Sequence, residues 1–403
     1  MHKRLGIILL FAALLITAGC WSRNEVENLA IVSAVGVDRV RIEERSLWKL
    51  TFEVFLPRSF GADTGQQGGG ITAPASWIVS SVGETLEDAR VNFNTRTPRR
   101  ILLAHSNVIV IGEETARTNS LHEIADFFIR SKDVRLRNWF LVTEGTAEDM
   151  LTAGWELEQD LATELLNLIE LTGQMADKVE VLNLKEVARI LASPGRDMIT
   201  GWVEVFQTPE KSEEGGTAAK KEQSSIRLHG SAIFLRDRMV GRLSDLETRG
   251  YLFLVGKAIK SSIPFTLDKP REGEVSIDLV EVQSRVRPRV EEGQLIIQVE
   301  IEADGDLSEL VAVGLSVDPE LMEILGEKTA RVIEEEAAMA VARAQEMRAD
   351  IFGFGEAVRR KYPRYWKQVE GNWREHFAVL PVEIQAKVRI RRTGMITDPI
   401  SSR

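Results

Sequence analysis

Residues 29–37, LAIVSAVGV, form an unbroken apolar and β-branched run that is too short for a helix and predicts a buried strand. A polar turn over 38–46 and a partner strand over 47–56 are expected to follow. Residues 61–76 hold five glycines and little that could pack, which predicts a mobile loop. Next come a short strand at 78–82, a helix at 85–94 and a strand at 105–111. Ser120 followed by Glu123 reads as a capping box. Ile124, Phe127 and Phe128 fall on one face of the helix it would open. Residues 138–143 predict another strand, and the alternation of strands and helices points to an α/β or α+β first domain.

Two amphipathic helices, at 156–172 and 184–192, could form a small helical layer, and Ser193-Pro194-Gly195 ends the second. Residues 207–225, QTPEKSEEGGTAAKKEQSS, contain no apolar side chain larger than Ala. Such a segment cannot bury enough surface to offset chain entropy, so it predicts a linker and the main domain boundary.

The C-terminal half is more regular. Strands at 276–290 and 295–303 are joined by Glu291-Glu292-Gly293-Gln294. Matching their apolar faces sets Val286 opposite Val299 and Arg285 opposite Glu300. Residues 382–391 alternate apolar and polar, giving one dry and one wet face. The basic wet face suits a neighbour that carries Glu300 and Glu302. Between these strands, 318–350 predicts a long amphipathic helix. Leu321, Leu325, Val332 and Met339 mark its buried stripe, and Glu334, Glu335, Arg343 and Arg348 its outer face.

The expected fold is therefore α+β and multidomain. Mixed or antiparallel sheets carry helices, and the C-terminal domain is a sheet with a long amphipathic helix. The expected divisions are 1–19 (a signal peptide), 20–206 (an α/β region, either whole or as two subdomains with the second helical from about 150), 207–225 (the linker) and 226–403 (the C-terminal domain).

The first twenty residues change the picture. Lys3 and Arg4 precede an apolar run from Leu5 to Ile16, then the small residues Thr17-Ala18-Gly19, then Cys20. This is the pattern of a signal peptide. Leu5 to Gly19 is 15 residues, shorter than the roughly 20 of a spanning helix. Cleavage before Cys20 is expected, with a diacylglyceryl group on its thiol to hold the protein on the outer face of a membrane. Trp21 would sit at the interface, where indoles are favoured. Thr17 departs from the Leu or Val usual at that place in a lipoprotein signal. The competing reading is an ordinary signal peptide with an incidental cysteine.

Composition narrows the function further. Among 403 residues, 51 are basic and 61 acidic, a net charge of -10 that argues against nucleic acid as a partner. Cys20 is the lone cysteine, so no internal disulfide or cysteine metal site can form. The five histidines show no i, i+4 pair, and His122-Glu123 is only a fragment of a zinc motif. Gly353 and Gly355 lack the third glycine and preceding strand of a dinucleotide loop. His229-Gly230-Ser231 lacks the spacing of a nucleophile elbow. The pair Glu334-Glu335 reads as a solvated helix face. No catalytic residue, metal or cofactor is expected.

Phe352, Phe354, Tyr362, Tyr365, Trp366, Trp373 and Phe377 place seven of the 26 aromatics within 26 residues. Either they pin short helices onto the sheet, or Phe352, Phe354, Tyr362, Trp366 and Trp373 form a partner-docking surface, since aromatics dominate binding hot spots.

Several motifs are similar to one family. They are Cys20-Trp21-Ser22-Arg23, Glu27-Asn28-Leu29-Ala30-Ile31-Val32, Gly36-Val37-Asp38, His105-Ser106-Asn107, and Asp126-Phe127-Phe128 with Arg135-Leu136-Arg137. Further along stand Ser193-Pro194-Gly195-Arg196-Asp197 and Ala349-Asp350-Ile351-Phe352-Gly353-Phe354-Gly355-Glu356. Lys361-Tyr362-Pro363, Trp366, Trp373 and Val388-Arg389-Ile390-Arg391-Arg392-Thr393-Gly394 complete the series. In this order, from Cys20 to about Met395, the chain resembles the Ger(x)C (GerAC-like) spore germination lipoproteins. It departs at Thr17, at Ser22 where Asp is frequent, and in a polar insert near 215. The resemblance implies the lipoprotein component, or C subunit, of a nutrient germinant receptor in the spore inner membrane. That component works beside the integral-membrane subunits A and B, in assembly or signal relay, with nutrient sensing usually assigned to B. A solute-binding lipoprotein that serves a transporter is the alternative, and a surface hydrolase a third reading.

Overall fold

The computed structural model describes residues 29–56, 76–155, 157–158, 160–175, 177–208, 223–269, 271–311 and 317–392. The expected signal peptide, Thr17, Cys20 and Trp21 lie outside the described residues, as does most of the glycine-rich loop expected at 61–76.

The first strands are β1 (Leu29–Ile42), β2 (Arg45–Phe55) and β3 (Ser76–Gly83). The turn between β1 and β2 is only Glu43-Glu44, both at positive φ, so most of the turn expected at 38–46 is strand. Asp38 is buried there, and its carboxylate accepts the Ala147 and Glu148 amides at 2.8 and 3.1 Å. Helix α1 (Leu86–Asn92) starts at Thr85, whose hydroxyl accepts the Asp88 amide. Strand β4 (Arg100–Leu102), a single turn at 103–105, and β5 (Val108–Gly112) follow, so the strand expected from His105 begins three residues later.

Then come α2 (Glu113–Thr118), α3 (Leu121–Arg130), β6 (Trp139–Thr143), α4 (Ala147–Thr152) and α5 (Leu161–Met175). Next are β7 (Leu182–Asn183), α6 (Leu184–Leu191), β8 (Ile199–Thr208), β9 (Gln223–Leu235), β10 (Arg238–Leu243) and α7 (Asp245–Val255). Ser120 holds the position before α3, but its hydroxyl donates to Asp237 Oδ2 and no capping bond forms. Asp237 instead receives the Leu121 amide on its carbonyl, so this helix is started from the β9–β10 turn.

Among the described residues the first sheet has the order β10-β9-β8-β6-β5-β1-β2-β3, with β4 beside β1 and β7 beside β6. Its central strands β1, β5, β6 and β8 run parallel and its flanks antiparallel. Parallel strands need both faces covered, and the helices expected as one layer supply this from opposite sides. Leu184, Val187 and Ile190 of α6 pack with Ile109, Phe140 and Trp202. Leu161, Leu165 and Ile169 of α5 pack with Val108, Val110 and Leu141.

The linker reading needs correction at both ends. Gln207 and Thr208 are in β8 and Gln223 to Ser225 in β9, and the two strands pair antiparallel, Gln207 opposite Ser224. The first sheet therefore continues past the polar stretch, of which 209–222 lie outside the described residues. The physical reason is that Val203, Val205, Ile226 and Leu228 give the flanking strands an apolar side to pack even though the stretch between has none.

A second sheet, β11 (Ser262–Leu267), β12 (Gly273–Glu291), β13 (Gln294–Val311) and β14 (Val382–Arg392), is ordered as numbered. Val286 faces Val299 and Arg285 faces Glu300, as expected. The turn residues Glu292 and Gly293 both have positive φ, which suits the twist of a tight hairpin. Strand β14 lies parallel to β13, Glu302 opposite Lys387, and Arg389 grips Asp304 with two bonds at 2.9 and 2.8 Å.

Helix α8 (Pro319–Glu346) packs on this sheet, followed by α9 (Phe354–Lys361), α10 (Pro363–Val369) and α11 (Trp373–Ala378). Its buried arc is Leu321, Leu325, Thr329, Ile333, Ala337, Ala340 and Ala344, whereas Val332 is half-buried and Met339 is 42% exposed. The small residues that set this arc carry little hydropathy signal, so the true stripe is rotated from the expected one. Glu334, expected on the outer face, instead accepts the Ala386 amide and covers part of the β14 edge. A buried ion pair, Arg249 with Glu336, joins α7 to α8.

Candidate functional site

Two of the motifs quoted from the sequence, about 150 residues apart, meet in one buried joint. Ser193 to Asp197 links α6 to β8, and Asp350 to Glu356 links α8 to α9. Each aspartate holds the other's backbone: the Asp197 amide donates to the Asp350 carbonyl at 2.8 Å, and the Asp350 amide to Asp197 Oδ2 at 3.0 Å. Asp197 Oδ1 also accepts the Arg236 amide and the Arg374 guanidinium, both at 2.9 Å.

The Asp350 carboxylate is fully buried and accepts four N–H groups. They are the amides of Gly353, Phe354 and Gly355 at 2.9, 3.0 and 2.7 Å, and the Trp373 indole at 3.0 Å. The amides open α9, so the chain's own carboxylate occupies the place where a phosphate would sit in a nucleotide loop. That is the structural meaning of Gly353-Phe354-Gly355. Burial pushes the Asp350 carboxyl up to about 6; the Gly355, Phe354 and Trp373 donors oppose this, and the Asp197 charge adds to it.

Gly195 and Gly355 let the two segments touch. The Glu356 amide donates to the Gly195 carbonyl at 3.1 Å, and a Cβ on Gly355 would lie 2.7 Å from the Trp373 indole nitrogen and 2.8 Å from the Gly195 oxygen. Ser193 donates to Glu356 at 2.6 Å, and Arg196 reaches the Ile351 carbonyl and the Tyr251 hydroxyl at 3.3 and 3.2 Å. Burial pushes the Tyr251 hydroxyl up, which keeps it neutral beside Arg196.

The aromatic cluster backs this joint. Phe354 and Phe377 are fully buried, Trp366 and Trp373 are 3% exposed, and Phe352 stacks on Phe354 at 5.0 Å. Of the five residues expected for docking, Phe352, Phe354, Trp366 and Trp373 point inward, which corrects the docking reading; only Tyr362 is half-buried. The side chains pin α9 to α11 because the flat rings fill the space between these short helices and α8.

The other chemical fragments stay apart. His229 lies between Asp245 at 3.0 Å and Glu204 at 3.4 Å, while Ser231 turns to the Glu180 amide. Among the described residues no group of three or more His, Cys, Asp or Glu could hold a metal. The buried carboxylates were missed in the sequence, although Glu53 inside the apolar run TFEVF was a signal. Its carboxylate receives the Leu161 and Ala162 amides at the start of α5, both at 3.0 Å.

Comparison with known families decides the relationship. A family described as "Spore germination protein N-terminal domain" matches residues 22–205, and "Spore germination B3/ GerAC like, C-terminal" matches 229–394. The chain belongs to the GerAC-like spore germination family. Spore germination protein KC of Bacillus subtilis (strain 168) is 24% identical, covering 99% of this chain and 98% of that protein. Spore germination protein B3 of the same organism is 22% identical over 96% and 97%. The crystal structure of the GerBC protein aligns with a TM-score of 0.55 and 18% identity, over 90% of this chain and 99% of that one, and shares the fold. In GerAC-like terms, Asp197 lies in the N-terminal region and Asp350 in the C-terminal one, so the joint ties the two regions together.

Proposed function

We propose that this chain is the lipid-anchored, non-enzymatic C subunit of a nutrient germinant receptor, acting in receptor assembly or signal relay beside the integral-membrane subunits A and B in the spore inner membrane. The observation that carries the reading is the full-length likeness to proteins named for spore germination, across both family regions. The saturated joint supports a mechanical rather than a chemical role, since every carboxylate oxygen of Asp350 and Asp197 is engaged by the chain itself. Among the described residues no helix is long and apolar enough to cross a membrane.

The test is deletion of this gene, with any paralogous receptor genes also removed, in the spore-former that carries it. Nutrient-triggered germination is expected to fail and to return when the gene is restored. Normal responses to every nutrient would sink the proposal. Cys20→Ala is expected to fold but to leave the membrane fraction after a salt wash; a mutant that stays firmly bound would mean that protein partners hold it there.

A further inference from the structure

One end of the first sheet is basic in an otherwise acidic chain. Residues 89–100 and 129–139 hold eight Lys or Arg and one acid, Asp133, against a net charge of -10 for the whole chain. The fold brings these segments together. Strand β4 pairs with the start of β1, Arg100 opposite Leu29. Strand β6 runs parallel to β5 and β5 to β1, so the loop before Trp139 lies at the same end. A cleft of about 600 Å³ opens between them, with Arg90, Arg100, Arg130 and Lys132 in its walls over Leu86 and Phe127.

Glu87 and Asp126 neutralise Arg90 and Arg130. Arg99, Arg100, Lys132, Arg135 and Arg137 have no ion-pair partner among the described residues, and the cleft's remaining acids are Glu123 and Asp133. Between Arg135 and Arg137, Leu136 is 45% exposed. An apolar side chain flanked by unpaired cations suits a charged surface with an apolar layer beneath it.

The position of this end relative to the anchor decides the occupant. Leu29, beside Arg100, is nine residues after Cys20. Nine residues span at most about 30 Å, however they are arranged. A lipid on Cys20 therefore keeps Leu29 within that distance of the bilayer and Arg100 about 5 Å, one strand spacing, beyond it, and the negative charge elsewhere on the chain is repelled from an anionic surface and turns this end toward it.

We propose that this end of the first sheet docks on the anionic lipid headgroups of the membrane that holds Cys20, through Arg99, Arg100, Lys132, Arg135 and Arg137. The proposal rests on the reading of Cys20 as lipid-bearing. The lipidated protein, reconstituted on vesicles of phosphatidylcholine alone or mixed with phosphatidylglycerol, should float with both. Amide hydrogen exchange over 96–100 and 130–138 should slow by about tenfold or more on the anionic vesicles only, because several cations contribute together. The protection should vanish near 1 M salt, where the Debye length falls to about 3 Å. The variant Lys132→Glu, Arg135→Glu, Arg137→Glu should float and unfold thermally like the wild type but lose the protection.

Failure to float on neutral vesicles overturns the anchor reading and this docking with it. Floating without protection on anionic vesicles overturns the docking alone. Protection equal on both vesicles, or present only when the integral-membrane receptor proteins are added, also overturns it and assigns the face to a protein partner.

Discussion

Asp350 is a buried acid whose charge is opposed by burial and supported by four donors, and burial wins. Its carboxyl is raised from the usual 3.8 to about 6, so the folded state binds its proton more tightly than the unfolded chain does. The stability it contributes is therefore fully present below about pH 4 and is lost as pH rises through about 6, on the order of 3 kcal/mol over that window. Urea unfolding at pH 4 and pH 6.5 should show a smaller loss for Asp350→Asn than for the wild type. The difference between the two proteins cancels every other titrating group, and equal losses would rule the effect out. Burial raises Asp38 and Glu53 in the same direction. Trp373→Ala should lower stability by about 3–5 kcal/mol, since it empties a core position and strips Asp350 of a donor. A variant as stable as the wild type would restore the docking reading. The sequence showed that these residues matter through their motifs, yet not how. An aspartate that caps a helix across the core has no local pattern to mark it.

At the level of elements, strict alternation was the most readable signal. It placed Val286 opposite Val299 and paired the basic face of β14 with the acids of β13, because a slip of one residue would turn every apolar side chain to water. Helix α8 was harder to read, since alanine and glycine rather than large apolar residues define its contact with α7. The ion pair between these helices gives a sharp test. Arg249→Met alone should cost about 3–5 kcal/mol by stranding the Glu336 charge, whereas Arg249→Met with Glu336→Leu should recover most of that loss. Full recovery is not expected, because Arg249 also donates to the Ser262 carbonyl at 3.0 Å. Chemical denaturation of the wild type, the single and the double variant measures this, and a double variant no better than the single would contradict it.

Across the whole molecule, the α+β class, both sheets and the long helix were legible, while the connections between distant parts were not. The Asp197–Asp350 joint and the second face of the first sheet arise from contacts far apart in the chain, and these leave no periodic trace in it. Polarity likewise misplaced the limits of the first sheet, because a hairpin connection and a domain linker have the same composition. The joint should make the two family regions unfold as one cooperative body. Gly355→Ala, which presses a methyl group onto the Trp373 indole and the Gly195 carbonyl, should destabilise by about 1–3 kcal/mol and lower the unfolding of both sheets together. Hydrogen exchange that loosens only the C-terminal sheet would show instead that the regions unfold separately.

The β8–β9 pairing has a practical consequence for anyone who divides the gene. A cut between the two family matches, after residue 205 and before 229, severs a hairpin within the first sheet. The upstream fragment would end in a β8 stripped of its neighbour, and the downstream one would begin with two strands torn from their sheet. Expressed alone, each would present raw backbone to other copies of itself and precipitate. Expressed together, the halves should find each other and stay in solution as a split protein.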